Sequence, residues 1–365
     1  VPAAAGESLH AGRSRNDQVA TTLLLYAHDR AGRGRRLCAD IAAAVEDRAA
    51  AALAGGALLA ATTHWQPAQP VLLAFWLDAC AQGFVRAAGR FAAVERAALV
   101  WCPLGSGAIA GSSLPLDRAA AARELGFGAP SRNALDSIGE RDVALDLLHA
   151  AARAATAASR PSEEFVIWTT PAFGYARLGD AASTGSSLMP QKRNPDPFEL
   201  IRAAAGRVSG AYAGALAATT GIGLSYHKDL QETKALVIRG TDHALAALDA
   251  FGRAFAHLTF NENVMTAKAG DGYTVATDLA DAVILSGKTA RAAHRVVGER
   301  VMRAEIDGRP LDAADALALG VPDAPVDARA SVAAKRTAGS TSPAAVAESI
   351  ARTRDDLAAL RDPRV

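Results

Sequence analysis

The sequence predicts an all-α protein, a bundle of long helices followed by a small helical domain. Three observations carry this. Half of the 365 residues are hydrophobic but only 5% are aromatic, and alanine and leucine, which lose little on entering a helix, dominate while β-branched runs are few. Five stretches with helical patterning, each longer than twenty residues, are separated by polar or glycine- and proline-bearing loops, which suggests a bundle. From Asn261 onward the helical stretches shorten. The division expected is therefore an irregular loop segment at 1–17, a central bundle over 18–260 and a C-terminal helical domain over 261–365.

The elements follow in order. Leu9-His-Ala-Gly-Arg-Ser-Arg-Asn-Asp17 is polar and irregular, and a helix should run from about Gln18 to Leu53. Gly55-Gly56 breaks it. Thr63-His-Trp-Gln-Pro-Ala-Gln-Pro70 reads as a turn, because its prolines do not suit a helix interior. A second helix should span about Val71 to Val100 and lead into the glycine-rich loop Pro103–Gly111. That loop is no dinucleotide fingerprint, since its spacing is wrong and it follows a helix rather than a strand.

Ser137-Ile-Gly-Glu140 has capping-box spacing and should open a helix that Pro161 ends, near Ser159. Ser183 to Ser187 is small and hydroxyl-rich, with Gly185 lacking a Cβ, so a loop there can move. It leads to a helix start with Asp196 as N-cap, Pro197 at the first position and Glu199 at the third. Lys192 and Asn194 sit at the junction of loop and helix, as in a lid built to close over an anion. This helix should reach about Thr220, and another should span about Leu230 to Leu258 after the Gly221–Ser225 loop. Asp307-Gly-Arg-Pro310 and Gly320-Val-Pro-Asp323 are turns, and no internal repeat is evident.

Composition excludes several classes. A net charge of +1 implies neither a nucleic-acid partner nor a membrane surface. The longest apolar run, Ala49 to Thr62, is too short to span a bilayer. Cys38, Cys80 and Cys102 are few, odd in number and far apart, the usage of a reduced cytoplasmic protein. The first residues lack the basic and apolar regions of a signal peptide. With no CxxC and no HExxH, neither a metal nor a cofactor is expected.

Four polar clusters remain: Ser14, Arg15, Asn16 and Asp17; Thr63, His64 and Gln69; Ser186, Lys192 and Asn194; Tyr226, Lys228, Gln231 and Lys234. Cations and amide donors dominate, with one histidine, a set suited to a dianionic small molecule. Each has an ordinary alternative. Arg15 and Asp17 would serve as a surface pair, His64 as a satisfied core histidine, Glu199 as a helix cap, Lys234 as a solvated side chain.

The string Gly185-Ser-Ser-Leu-Met-Pro-Gln-Lys-Arg-Asn-Pro195 resembles the signature of the fumarase/aspartase superfamily of lyases. Leu9–Gln18, Thr63–Pro70, Tyr226–Glu232, Gly272–Asp281 and Ser331–Arg336 are similar to segments of its argininosuccinate lyase family, with Ala11 where threonine is usual and Trp65 where leucine is usual. The resemblance covers essentially the whole chain and implies a fumarase/aspartase-type bundle. It implies elimination of argininosuccinate to arginine and fumarate, in arginine biosynthesis, without a cofactor. It implies Ser186 as the base, with its oxyanion held by Lys192 and loop N–H groups. His64 would act at the leaving nitrogen, oriented and charged by Glu199, and Lys192, Asn194 and Thr63 would hold the charged carboxylate. Ser14, Arg15, Asn16, Asp17, Gln69, Tyr226, Gln231 and Lys234 would bind substrate. It also implies a homotetramer whose subunits share each site.

Family members carry an N-terminal domain ahead of the first of these segments, of which 1–17 would be a remnant. Two alternatives follow: a sister lyase of the adenylosuccinate type, which Gly12–Asp17 and Tyr226–Gln231 argue against, and an inactive, structural lyase-fold protein.

Overall fold

The computed structural model describes residues 7–8 and 10–361. Of the irregular segment expected at 1–17, residues 1–6 and Leu9 lie outside the described residues, as do the last four of the chain. Thirteen α-helices are present among the described residues, and the β-structure is confined to two-stranded pieces.

Helix α1 (Arg15–Gly55) opens with a capping box. The Ser14 hydroxyl accepts from Asn16 N, and Asp17 Oδ1 accepts from Ser14 N at 3.1 Å. Gly56, left-handed at φ 64°, ends it. The chain then forms a hairpin, β1 (Leu58–Thr63) with β2 (Gln66–Leu72). The expected proline turn is thus longer and more ordered than the sequence implied. Pro67 and Pro70 sit within β2, which a two-stranded ribbon tolerates because the outer edge of each strand needs no N–H donor.

Helix α2 (Leu73–Ala98) leads through β3 (Trp101–Cys102), α3 (Arg118–Glu124), β4 (Ala129–Pro130) and α4 (Ala134–Gly139) to α5 (Asp142–Trp168). Two expectations are corrected here. Ser137 lies inside α4 rather than opening the long helix; Glu140, just past the end of α4, accepts from Val143 N at 3.1 Å in the first turn of α5. Pro161 does not end α5 but lies inside it. An interior proline costs about 3 kcal/mol; here the turn beyond it is pinned by Phe165, whose ring meets Trp76, Phe198, Phe251 and Phe255.

After β5 (Ala176–Leu178), the strands β6 (Thr184–Gly185) and β7 (Arg193–Asn194) pair and lead into α6 (Asp196–Thr219). Its N-cap is Pro195, not Asp196; the Asp196 carboxylate is taken instead by the Thr184 hydroxyl, so it ties the loop to the helix. Helix α7 (Leu230–Ala256) and β8 (Leu258–Phe260), which pairs with β5, complete the bundle.

Shorter helices follow: α8 (Glu262–Lys268), α9 (Ala276–Leu285), α10 (Ala290–Ile306), α11 (Ala313–Ala318) and α12 (Ala328–Ala334). Leu279, Val283, Ala293, Val297 and Ala316 form a small core of their own. The last helix, α13 (Pro343–Arg361), returns to the bundle, burying Val346, Ile350 and Leu357 in the main core.

The long helices define two ends. His28 Nδ1 meets Glu95 O, so α2 finishes beside the start of α1. Tyr26 donates to Ile238 O, and Arg48 to Leu258 O, so α7 runs parallel to α1. Gly214 faces Leu236 while Ala211 faces Gly240, so α6 runs antiparallel to α7. Gly139 packs on Ser225, setting the start of α5 beside the start of α7. One end therefore gathers the starts of α1, α5 and α7; the other gathers the β1–β2 hairpin, the β6–β7 loop and the start of α6.

Candidate active site

At the first end the structure brings the first and fourth clusters together. Arg15 and Lys234 line one pocket, with Tyr26 and Ile238. The Tyr226 phenol accepts from Gln231 Nε2 at 2.8 Å. That bond, helped by the charges of Lys228, Arg15 and Lys234, draws its pKa below the ordinary tyrosine value. The result is a cationic, donor-rich wall around the phenol.

Asp17 requires a correction. It is fully buried, and its Oδ2 accepts from Gly105 N and Gly107 N, each at 3.0 Å. With Oδ1 held by Ser14 N, this carboxylate fixes backbone and does not face a substrate. The glycine-rich loop is thus part of this end, although its sequence gave only the negative result that it binds no dinucleotide. Gly105 and Gly107 have positive φ, at 86° and 64°, which turns both N–H groups onto one oxygen. Arg118 holds the loop from the other side through Leu104 O and the hydroxyls of Ser106 and Ser131. Asn16 reaches Ala108 O, at 3.4 Å, so it borders the same loop.

At the second end, β6 and β7 frame a loop whose first residue is Ser186. Its Oγ accepts from Leu188 N at 3.2 Å and from Met189 N at 3.0 Å. Two backbone dipoles thus point at one hydroxyl oxygen, a nest that favours the oxyanion. Lys192 N bonds Met189 O and closes the turn. The side chains of Lys192 and Glu199 are exposed, and Asn194 is half-buried. Leu188 is 83% exposed, so the loop tip offers an apolar face to whatever covers it.

His64 stands at the tip of the β1–β2 hairpin, where Thr63 pairs with Gln66. His64 and Trp65 both have positive φ, 55° and 60°. Two non-glycine residues there store of the order of 1–3 kcal/mol each, strain of the kind found where a side chain must be presented. Gln69 lies in β2 opposite Ala61, half-buried. Among the described residues no hydrogen bond or ion pair links His64 to Ser186, Lys192 or Glu199. The two ends are also far apart: from Gln231 to Ala256, α7 alone spans about 38 Å at 1.5 Å per residue. Within one chain the first and fourth clusters therefore lie at the opposite end of the bundle from Ser186 and His64.

The comparisons with known proteins agree in family and fold. A family profile described as "Lyase" matches residues 2–210. Argininosuccinate lyase of Maricaulis maris (strain MCS10) is 40% identical over 358 residues, covering 96% of this chain and 75% of its own. That of Acidothermus cellulolyticus is 40% identical over 365 residues, covering 97% and 74%. Among solved structures, a variant of EDDS lyase with bound fumarate superposes with a TM-score of 0.86 at 26% identity, over 97% of this chain and 74% of that one.

Proposed function

The chain belongs to the lyase family, among the argininosuccinate lyases, and we propose that it cleaves argininosuccinate reversibly to arginine and fumarate, the releasing step of arginine biosynthesis. The observation that carries the reading is the Ser186 hydroxyl with two backbone N–H groups aimed at its oxygen. A serine alkoxide is a base only where its charge is stabilised and water is excluded.

Ser186 takes the proton from the carbon next to a substrate carboxylate. The electron pair moves onto that carboxylate, which becomes an enolate-like dianion. One cation at about 4 Å is worth roughly 4 kcal/mol at an effective dielectric near 20. Several donors are needed, and Lys192, Asn194 and Thr63 are assigned to this work. The pair then returns to form the carbon–carbon double bond as the C–N bond breaks. The leaving guanidino nitrogen takes a proton from His64 by way of water, with Glu199 orienting the imidazole. Ser14, Arg15, Asn16, Gln69, Tyr226, Gln231 and Lys234 hold the rest of the substrate. Asp17, assigned to substrate by the sequence, acts through the glycine-rich loop.

No small molecule reaches both ends of a 38 Å helix span (about 25 residues of α7). This supports a homotetramer in which half-sites of different subunits meet. Helix α6 favours the same reading: only Phe198, Ile201, Val208 and Ala215 of its residues are buried, while Leu200 is 70% exposed. Such a face needs a partner. No helix is long and apolar enough to cross a membrane among the described residues. The unpaired thiols fit a reducing compartment, and the cytoplasm is proposed as the location.

The test is steady-state release of fumarate, followed by its ultraviolet absorbance. Argininosuccinate should be turned over and adenylosuccinate should not. The reverse preference, or no turnover of either by a folded oligomer, would overturn the assignment.

A further inference from the structure

Helices α2 and α5 run antiparallel and approach closely where Gly83 faces Ala157, two residues too small to keep the backbones apart. Above that contact lies a groove of about 430 Å³, within the size range of small-molecule sites. Arg86 and Arg90 line it from α2, Arg153 and Arg160 from α5. Spacings of four and seven residues put each pair on one face of its helix. Counted from the Gly83–Ala157 contact, Arg86, Arg90 and Arg153 lie toward the start of α5, within roughly 11 Å of rise. Arg160 lies on the other side, beside Trp76 and Glu164.

The charge in this groove is out of keeping with a chain of net charge +1. Four guanidinium groups share it with one carboxylate, Glu164, among the described residues. Glu164 is engaged by Trp76 Nε1 at 2.9 Å, and burial raises its pKa to about 7, so its compensation is partial. None of the four arginines makes an ion pair among the described residues, and Arg90 donates instead to Arg86 O. Like charges facing one another across a groove are unfavourable unless something neutralises them. Planar guanidinium forks bind phosphoryl and carboxylate oxygens in bidentate fashion.

We propose that the α2–α5 groove is a binding site for a small polyanion bearing several phosphoryl or carboxylate groups, distinct from the half-sites at the bundle ends. The Arg86, Arg90 and Arg153 end takes the most highly charged part of the ligand.

The experiment is titration calorimetry of the intact protein with inorganic triphosphate and with citrate, at matched ionic strength in chloride. Saturable binding of at least one of them, one per subunit, is expected, and the tighter of the two assigns the phosphoryl or the carboxylate class. The double change Arg86→Ala with Arg153→Ala should weaken binding at least tenfold. Arg86→Lys with Arg153→Lys should weaken it less, because charge stays while the fork is lost. Arg291→Ala with Arg295→Ala, on exposed α10, should leave it unchanged. Three results would overturn the proposal: no saturable binding of either anion, equal weakening by the α10 pair, or an alanine pair that changes the oligomeric state instead of anion affinity. The last would make the groove a contact between copies of the chain.

Discussion

Glu46 and Asp78 offer a test of how the last helix is held. Both are buried, at 1% and 3% exposure, on the facing sides of α1 and α2. Asp78 is well satisfied: it accepts from Gln82 Nε2 at 2.9 Å, Ser349 Oγ at 2.6 Å and Thr353 Oγ1 at 2.9 Å, the last two reaching in from α13. Neither Glu46 oxygen finds a donor. Burial first, then the neighbouring Asp78 carboxylate, raise the Glu46 pKa from 4.5 to about 8, against a smaller opposing pull from Arg354. Burial beside the Asp78 carboxylate thus favours the protonated, neutral form of Glu46.

The folded pKa lies above the unfolded one, so the folded chain binds more protons between pH 4.5 and 8. The stability that this proton confers is complete below pH 4.5 and is lost as pH rises through 8. At about 1.4 kcal/mol per unit, softened by relaxation around a buried pair, the loss is about 2–4 kcal/mol. Glu46→Gln keeps the shape and a donor but cannot ionise. Urea unfolding at fixed protein concentration, at pH 5, 7 and 9, should show wild type losing stability relative to the variant as pH rises. Taking the difference between the two proteins removes Glu164 and every other group that titrates in both. A constant difference, or a wild type that gains stability relative to the variant, would refute the reasoning.

Three further outcomes are expected. Ser186→Ala should leave a folded oligomer with kcat lowered on the order of 10²–10⁴-fold, the cost of losing a general base; retention of a tenth of wild-type kcat would remove Ser186 from that role. Asp17→Ala should strand the N–H groups of Ser14, Gly105 and Gly107 and cost about 3 kcal/mol or more in urea unfolding. An unchanged midpoint with a raised KM would instead make Asp17 a substrate ligand. Mixing inactive Ser186→Ala with an inactive Asn16→Ala form, then refolding together, should restore activity, since mixed oligomers hold sites built from two intact ends. Failure to recover any turnover in oligomers shown to be mixed would argue that each chain builds its own site.

What the sequence made legible was local. The five long helices follow from alanine-rich patterning, and Gly55-Gly56 marks the end of α1, while its capped start at Ser14 and Asp17 falls inside the segment read as irregular. Pro161 misled because its penalty is a local quantity, while the aromatic cluster that holds α5 beyond it comes from α2, α6 and α7. The turn at Thr63–Pro70 was legible from its prolines but the hairpin was not, since His64 and Trp65 at its tip take left-handed angles that asparagine and glycine usually supply. Asp17 was misassigned because an exposed polar string in sequence became a buried carboxylate once the glycine-rich loop, some 90 residues later, folded onto it.

The site itself shows why a motif list stops short of an active site. Every motif sits at an end of a long helix, and helix direction decides which end. Tyr226 precedes α7 and Gln231 opens it, Ser186 and Lys192 precede α6, and these two helices run antiparallel, so segments close in sequence are carried to opposite ends of the bundle. The same rigidity that separates them by about 38 Å makes each half-site well positioned, because a bundle end does not drift. In the proposed oligomer the halves would be reunited by another bundle laid alongside the first, with the sparsely buried face of α6 as the candidate surface. In such an assembly chemistry depends on association, and a change that weakens the α6 face should lower kcat by depopulating complete sites while leaving the Ser186 nest in each chain intact.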